Sequence, residues 1–245
     1  MSDFPFCAVS RAPDRQQSFE AAVAENPLND PNSGSGSATR KKRGAGDHSY
    51  LWSPGRTLCI YFITHVDTET QQAILGAASE WLEYANLKFE LVDNWREADI
   101  KIESGVQPYE WSCVGTDALL NNNEATMGLN VRHDTPDLKQ RVLHEFGHAL
   151  GMQHEHQHPD ADITWNEKSL RGIGWSDSAI ADNFLAVIPK GPGMLITPYD
   201  RQSIMHYAIP REFSEQDLGD TGGTSLSEGD KAWARLAYPA FAVAE

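Results

Sequence analysis

One eleven-residue stretch of this chain carries the residue types needed to hold a metal ion and activate water. From His144 to His154 it reads HEFGHALGMQH. Two imidazoles four apart on a helix stand one turn above each other on the same face, so both can reach one ion. A third imidazole on that helix would run away from the ion. The chain must therefore turn, and Gly151 is free to take the positive φ such a turn needs, returning His154 to the metal. Three neutral nitrogen ligands leave one tetrahedral position open, the arrangement of a catalytic rather than a structural Zn2+ site, with one ion per chain. Glu145, next to the first ligand, can take a proton from water polarised by the ion and pass it to a leaving amine. That is the chemistry of peptide-bond hydrolysis. At this chain's own residue frequencies the full pattern arises by chance about once in ten thousand such chains.

The element that must position these residues is a helix. Thr135 followed by Pro136 reads as an N-cap and first helical residue, and Leu138, Val142, Leu143, Phe146, Ala149 and Leu150 continue at helical spacing to Gly151. Upstream, TLCIYFI at 57–63 is a β-rich run. Thr68 with Gln71 has capping-box spacing and opens a helix whose inner face is Ile74, Ala78, Trp81, Leu82 and Ala85, ending near Asn86. LKFELV (87–92) and ADIKIES (98–104) alternate as strands, and ATMGLNV (125–131) is a further strand weakened by Gly128. Beyond Gly151 prolines and glycines break the pattern, apart from a helix near 177–187 and a last helix from Ser227. That last helix has Asp230 at its third position and Ala232, Leu236 and Ala237 facing inward. The order of elements reads as an α+β fold.

The 245 residues allow one large domain or two small ones. A formal charge of -15 argues against nucleic acid as a partner, and no window approaches the roughly 18 apolar residues of a membrane span, so the chain reads as soluble. Charge is unevenly spread. Residues 1–43 hold six basic and five acidic residues, and residues 44–245 hold fourteen and thirty, net charges of +1 and -16. Residues 1–46 read as a disordered or pro-like extension with one weak amphipathic piece around Phe19 to Ala24, because NPLNDPNSGSGSATR cannot bury enough apolar surface to offset chain entropy, and residues 47–245 read as the catalytic domain. The basic run Arg40, Lys41, Lys42, Arg43 reads as a solvated linker, with a processing-protease site or a nuclear address as the other readings. The N-terminus lacks the apolar stretch of a secretory signal, which points to the cytoplasm or to export by a route the sequence does not reveal. Cys7, Cys59 and Cys113 allow at most one bridge, for which Cys59 with Cys113 is favoured, although small buried thiols are the simpler reading. His156 and His158 read as solvated or hydrogen-bonded loop residues rather than as supports around the metal ligands or a weak second metal site. His48, His65 and His133 read as structural or surface residues.

The eleven-residue pattern resembles the zinc signature of the metzincin endopeptidases. Glu155 directly after the third histidine, and YDRQSIMHY at 199–207, resemble the astacin family within that clan, specifically its shorter bacterial and fungal members. The likeness extends to YLWSPGRTLCIYFI near residue 50, WSCVGTDAL at 111–119 and SLSEGDKAWARLAYP at 225–239, about 190 residues in all. It implies a two-lobed catalytic domain: a twisted mixed sheet with two long helices in the N-terminal lobe, and an irregular C-terminal lobe with a Met-turn and a terminal helix. It implies a zinc endopeptidase acting on proteins or peptides, as a monomer, with His144, His148 and His154 as ligands and Glu145 as general base. It further implies Met205 as the methionine of the turn beneath the metal and Tyr207 as a donor to the oxyanion, a role that a phenol two residues after a tight turn can physically fill. Glu155 is implied as an anchor for the mature N-terminus, and Trp111, Ser112 and Cys113 as an edge strand pairing with extended substrate. Gly46-Asp47 matches part of the family's inhibitory Phe-x-Gly-Asp motif, without its phenylalanine. Two other states stay open: a zinc-binding protein without turnover, and a latent enzyme freed by cleavage near Arg43.

Overall fold

The computed structural model describes residues 7–30, 50–106, 109–121, 124–188 and 195–240. Its sheet is built from β1 (Ala8–Ser10), β2 (Thr57–Phe62), β3 (Lys88–Leu91), β4 (Ile100–Glu103), β5 (Trp111–Cys113) and β6 (Met127–Gly128), in spatial order β1-β5-β6-β4-β2-β3. All neighbours run parallel except β5 and β6. Alternation drives β2: Leu58, Ile60 and Phe62 point into the core, and the residues between them are half-buried. Two helices, α2 (Thr68–Ala78, continued by a 3-10 turn to Glu83) and α3 (Leu138–Ala149), join the sheet in one apolar core centred on Trp52, Trp81, Ile60 and Phe146. The expected α+β arrangement of a mixed sheet with two helices is therefore present.

Helix starts differ from the expected ones by a residue or two. The cap of α2 is Asp67, whose carboxylate accepts from the Thr70 N–H at 2.9 Å, and Gln71 instead donates to the Val66 carbonyl. Helix α3 begins at Leu138 because a tight turn comes first, in which the Leu138 N–H reaches the Thr135 carbonyl.

The C-terminal lobe holds α4 (Glu167–Arg171), α5 (Asp177–Ile180, followed by a π turn to Leu185) and α6 (Glu228–Ala237). Ser227 and Asp230 form a capping box at the start of α6. Its inner face is Asp230, Trp233, Ala234 and Ala237. Ala232 is exposed and Leu236 is 55% exposed, so the expected inward phase was wrong for those two, because the helix is oriented by the buried Asp230 and Trp233.

Two expectations about the N-terminal extension and the cysteines are corrected. Residues 7–30, expected to lack structure, form β1, α1 (Arg15–Glu25) and a short 3-10 turn. Apolar content within the segment is a poor guide here, since polar anchors on the domain hold it. Ser18 Oγ donates to Asp117 at 2.5 Å, Asn26 Nδ2 to the Trp52 carbonyl at 3.0 Å, and Asn29 Nδ2 to the Leu51 carbonyl at 2.8 Å. Each such bond contributes about 1 kcal/mol. All three cysteines are free thiols, so Cys59 and Cys113 are not bridged. Cys59 lies on β2 and Cys113 on β5, with β4 and β6 between them, about 14 Å at ordinary strand spacing and far beyond the roughly 7 Å Cα limit of a disulfide.

His65 and His133 are exposed. The basic run at 40–43, Gly46-Asp47 and His48 lie outside the described residues. Among the described residues no helix is long and apolar enough to cross a membrane.

Candidate metal centre

Three aromatic donors fix the C-terminal half of α3. Trp81 Nε1 donates to the Leu143 carbonyl at 3.0 Å, Trp52 Nε1 to the Ala149 carbonyl at 2.8 Å, and the Tyr238 hydroxyl to the Leu150 carbonyl at 2.5 Å. The bonds to Ala149 and Leu150 satisfy carbonyls that the end of a helix otherwise leaves open, and all three hold the helix against the core. The chain then reverses at Gly151, whose φ of 99° is left-handed, as the turn requires.

That geometry brings His144, His148 and His154 together, all as buried or nearly buried imidazoles. His144 Nδ1 lies 2.7 Å from the Ile204 carbonyl and His148 Nδ1 lies 2.9 Å from the Met152 carbonyl, so each outer nitrogen carries the proton and each Nε2 presents a lone pair. His148 Nε2 and His154 Nε2 are 3.1 Å apart, and His144 Nε2 is buried without a hydrogen-bond partner. Burial pushes all three imidazoles below the ordinary histidine range, His144 to about 4, so they are neutral and able to ligate. One nitrogen from each, together with Cys7 Sγ, lies within 4.8 Å of the others. Ligand nitrogens around a tetrahedral Zn2+ stand about 3.3 Å apart for bonds of about 2.0–2.1 Å. A set of neutral imidazoles converging at this scale, with an orphaned lone pair, fits zinc.

The turn at 203–207 supports the site from below. Met205 is fully buried, and a Cβ placed on Gly147 would overlap its sulfur and come within 3.3 Å of Trp81 Cζ2, so α3 needs a glycine to rest on this methionine. Asp230 of α6 anchors the turn, accepting from Ser203 Oγ at 2.6 Å, the Ile204 N–H at 2.8 Å and the Ser227 N–H at 2.9 Å. The Ile204 carbonyl then orients His144. Tyr207 is buried, its ring stacked on His156 at 4.2 Å and 4.4 Å from the His154 ring. His156 is itself buried, with Nε2 2.7 Å from the Asn183 carbonyl, so of its expected alternatives the hydrogen-bonded one holds. His158 is likewise buried, with Nε2 2.9 Å from the Thr197 carbonyl.

Glu145 is 1% exposed, and burial pushes its carboxyl well above the usual carboxylate range. Cys7 of the N-terminal segment lies against it, Sγ 3.3 Å from Glu145 Oε2, and the Tyr207 hydroxyl donates to the Cys7 carbonyl at 2.5 Å. From Cys7 the segment runs as β1 along β5, pairing Ala8 with Trp111, Val9 with Ser112 and Ser10 with Cys113. Trp111, Ser112 and Cys113 thus form a strand, but its outer edge is already taken. A cavity of about 110 Å³ lined by Cys7, Glu110, Arg141, His144, Glu145 and Tyr207 is what remains open beside the site.

Glu155 stands apart from this cluster. Its N–H donates to the Met205 carbonyl, its carboxylate accepts from the Asp200 N–H at 2.8 Å, and it lines a small cavity with Tyr50. Reading the sequence missed Cys7, which has no metal spacing and lies 137 residues before His144. Its one signal is its place in the short apolar island FPFCAV within a polar extension. It also missed Asp230 as the anchor of the turn and His156 as the support of Tyr207.

Comparison with known proteins narrows the reading. The family model described as astacin (peptidase family M12A) matches residues 45–230. Zinc metalloproteinase nas-38 of Caenorhabditis elegans is 24% identical over 174 residues, 70% of this chain but only 22% of its own length, so the chain spans about a fifth of that relative. Among solved structures, myroilysin superposes with a TM-score of 0.70 at 30% identity, covering 79% of this chain and 97% of its own. A hatching enzyme zinc-protease of the medaka Oryzias latipes shares the fold, with a TM-score of 0.53 at 19% identity over 83% of this chain and 96% of its own.

Proposed function

The chain belongs to the astacin family, peptidase family M12A, and on that basis we propose that it is a zinc-dependent endopeptidase that hydrolyses internal bonds of proteins or peptides. The observation that carries the proposal is the convergence of three neutral, buried imidazoles, with Glu145 and the Tyr207 hydroxyl each held against Cys7 beside them. His144, His148 and His154 would hold the ion. Zinc supplies Lewis acidity there, polarising a carbonyl and making water acidic enough to lose a proton near neutral pH.

The protein's own groups do the rest. Glu145, a stronger base in its buried site than a solvated carboxylate, takes the proton of the attacking water and returns it to the leaving amine. Tyr207 donates its hydroxyl to the oxygen that becomes negative. The same hydroxyl already donates to a carbonyl at this place, that of Cys7, which supports the assignment. The outer edge of β5 would pair with an extended substrate once it is free. Glu155, beside Tyr50, would receive the amino-terminus left after processing in the preceding segment.

The test is digestion of casein by a full-length chain in which Cys7 is replaced by serine. Glu145→Gln in that background should keep the metal, measured by elemental analysis, and lose more than about a hundredfold in rate. Chelation should abolish digestion and added zinc should restore it. Near-normal turnover in the Gln variant would overturn the mechanism.

A further inference from the structure

The cavity of about 110 Å³ beside the metal centre has Glu145 on one wall. In the proposed reaction Glu145 returns a proton to the leaving amine, so the residue that carries this amine lies against that wall. Ile204 and Ala208 supply apolar surface, and Glu110, Asp137 and Arg141 supply three charged groups that the reaction does not use.

Their placement follows from the chain. Asp137, Arg141 and Glu145 recur at a spacing of four, so they share the face of α3 that carries the base. Glu110 faces them from the residue before β5. Arg141 joins the two sides: its Nε donates to Asp137 Oδ2 at 2.9 Å and its Nη1 to Glu110 Oε1 at 2.8 Å. Each carboxylate thereby commits one oxygen of two. The Glu110 side chain is only 6% exposed, yet among the described residues its Oε2 accepts no hydrogen bond, and neither does Asp137 Oδ1. A buried carboxylate oxygen left open on a cavity lacks the partner that its burial calls for.

We infer that this cavity selects a cationic side chain, lysine or arginine, in the substrate residue on the amine side of the cut bond, with Glu110 and Asp137 as the residues that set the preference. The inference rests on the peptidase reading of the metal centre.

Charge decides the sign. Two carboxylates about one guanidinium leave a net charge of -1, which an ammonium or guanidinium from the substrate neutralises. An acidic side chain could still touch Arg141, but it would be the third carboxylate about a single cation and would raise the imbalance to -2. Glu110 and Arg141 are mostly shielded from solvent, so salt screens this difference less than it screens a surface pair. The -16 carried by residues 44–245 acts in the same direction at longer range. Size decides the shape. A cavity of about 150 Å³ holds a benzene ring, so one of about 110 Å³ suits an unbranched chain, whose stem can lie along Ile204 and Ala208 while its charged end reaches the carboxylates.

Peptide binding tests the preference without any need for turnover. Short labelled peptides that differ only in their first residue, lysine, norleucine or glutamate, mimic the product that leaves with the new amine. By fluorescence anisotropy the zinc-loaded full chain carrying Cys7→Ser should hold the lysine peptide at least about tenfold more tightly than the glutamate peptide, with norleucine between them. Glu110→Gln, which can still accept from Arg141, and Asp137→Asn, at a half-exposed position, should each narrow that ratio at least about threefold. The ratio is taken within each protein, so an unfolded fraction cancels. Glutamate bound as well as lysine, no binding of either, or a ratio unchanged in both variants would overturn the inference. Cleavage of longer peptides carrying the same three residues, located by mass spectrometry, separates the two readings. Peptides cut with no preference for lysine reject the selective cavity and keep the peptidase. Lysine bound preferentially with every peptide left intact keeps the cavity and rejects the peptidase.

Discussion

Gly147→Ala tests whether the helix that carries the ligands must rest on Met205. Position 147 lies inside α3, between His144 and His148, and an alanine is ordinarily better there than glycine by about 0.5–1 kcal/mol. Here the added methyl would overlap the Met205 sulfur and come within 3.3 Å of Met205 Cε and of Trp81 Cζ2, whereas ordinary contact is about 3.5–4.0 Å. Met205 and Trp81 are both fully buried, so neither can yield into solvent. Overpacking of this kind costs about 1–3 kcal/mol, which outweighs the propensity gain and leaves a net loss of about 0.5–2 kcal/mol. For a domain of this size that lowers Tm by roughly 1–8 °C. The methionine is also covalently tied to Ile204, whose carbonyl orients His144 at 2.7 Å, so zinc affinity should fall by about tenfold as well. Thermal melting with and without zinc, and competition against a chromogenic chelator, read the two effects. The double variant Gly147→Ala with Met205→Ala should recover at least about 1 kcal/mol relative to the sum of the single changes, since each then relieves the other. A Gly147→Ala protein that melts higher than wild type with unchanged zinc affinity would refute the reasoning.

Tyr207→Phe, in the Cys7→Ser background, should lower kcat by about a hundred- to a thousandfold with little change in KM, because a donor to the oxyanion acts in the transition state. An equal KM rise would contradict that role. Asp230→Ala removes the acceptor of three bonds from Ser203, Ile204 and Ser227, and should cost about 3 kcal/mol or more and weaken zinc binding through His144, read by denaturant unfolding and zinc titration. Glu155 is raised by burial to about 8, and among the described residues no ion pair with it is found. Its folded pKa lies above the unfolded value, so its contribution is present below about pH 4.5 and is lost as pH rises through about 8. Glu155→Gln, which can keep the bond from the Asp200 N–H, should therefore flatten the fall of Tm between pH 5 and pH 9, and an unchanged slope would reject this.

What could be read from the chain alone was whatever depends on short spacing. The strands at 57–62, 88–91 and 100–103 follow from alternation, and the Ser227 and Asp230 cap from local backbone hydrogen bonding. Three histidines with a glycine between the last two predict a turned helix end, since four residues on a helix and a positive φ at Gly151 leave few other ways to converge. Phase at the helix ends was less legible. Asp67 rather than Thr68 caps α2, and Leu236 faces solvent, because tertiary contacts decide between neighbouring registers of similar local energy.

Only the folded chain decided what joins across long separations. Cys59 and Cys113 look like partners by count, yet two strands lie between them. Cys7 carries no spacing signal, yet it lies 3.3 Å from Glu145 because Asp117, Trp52 and Leu51 offer polar anchors to a segment with little apolar surface of its own. Local pattern thus determined the ligands, their helix and the turn that closes them. The residue that lies against them was set by bonds that span 22, 26 and 99 residues of chain, and pairings between separate segments leave no period in a sequence.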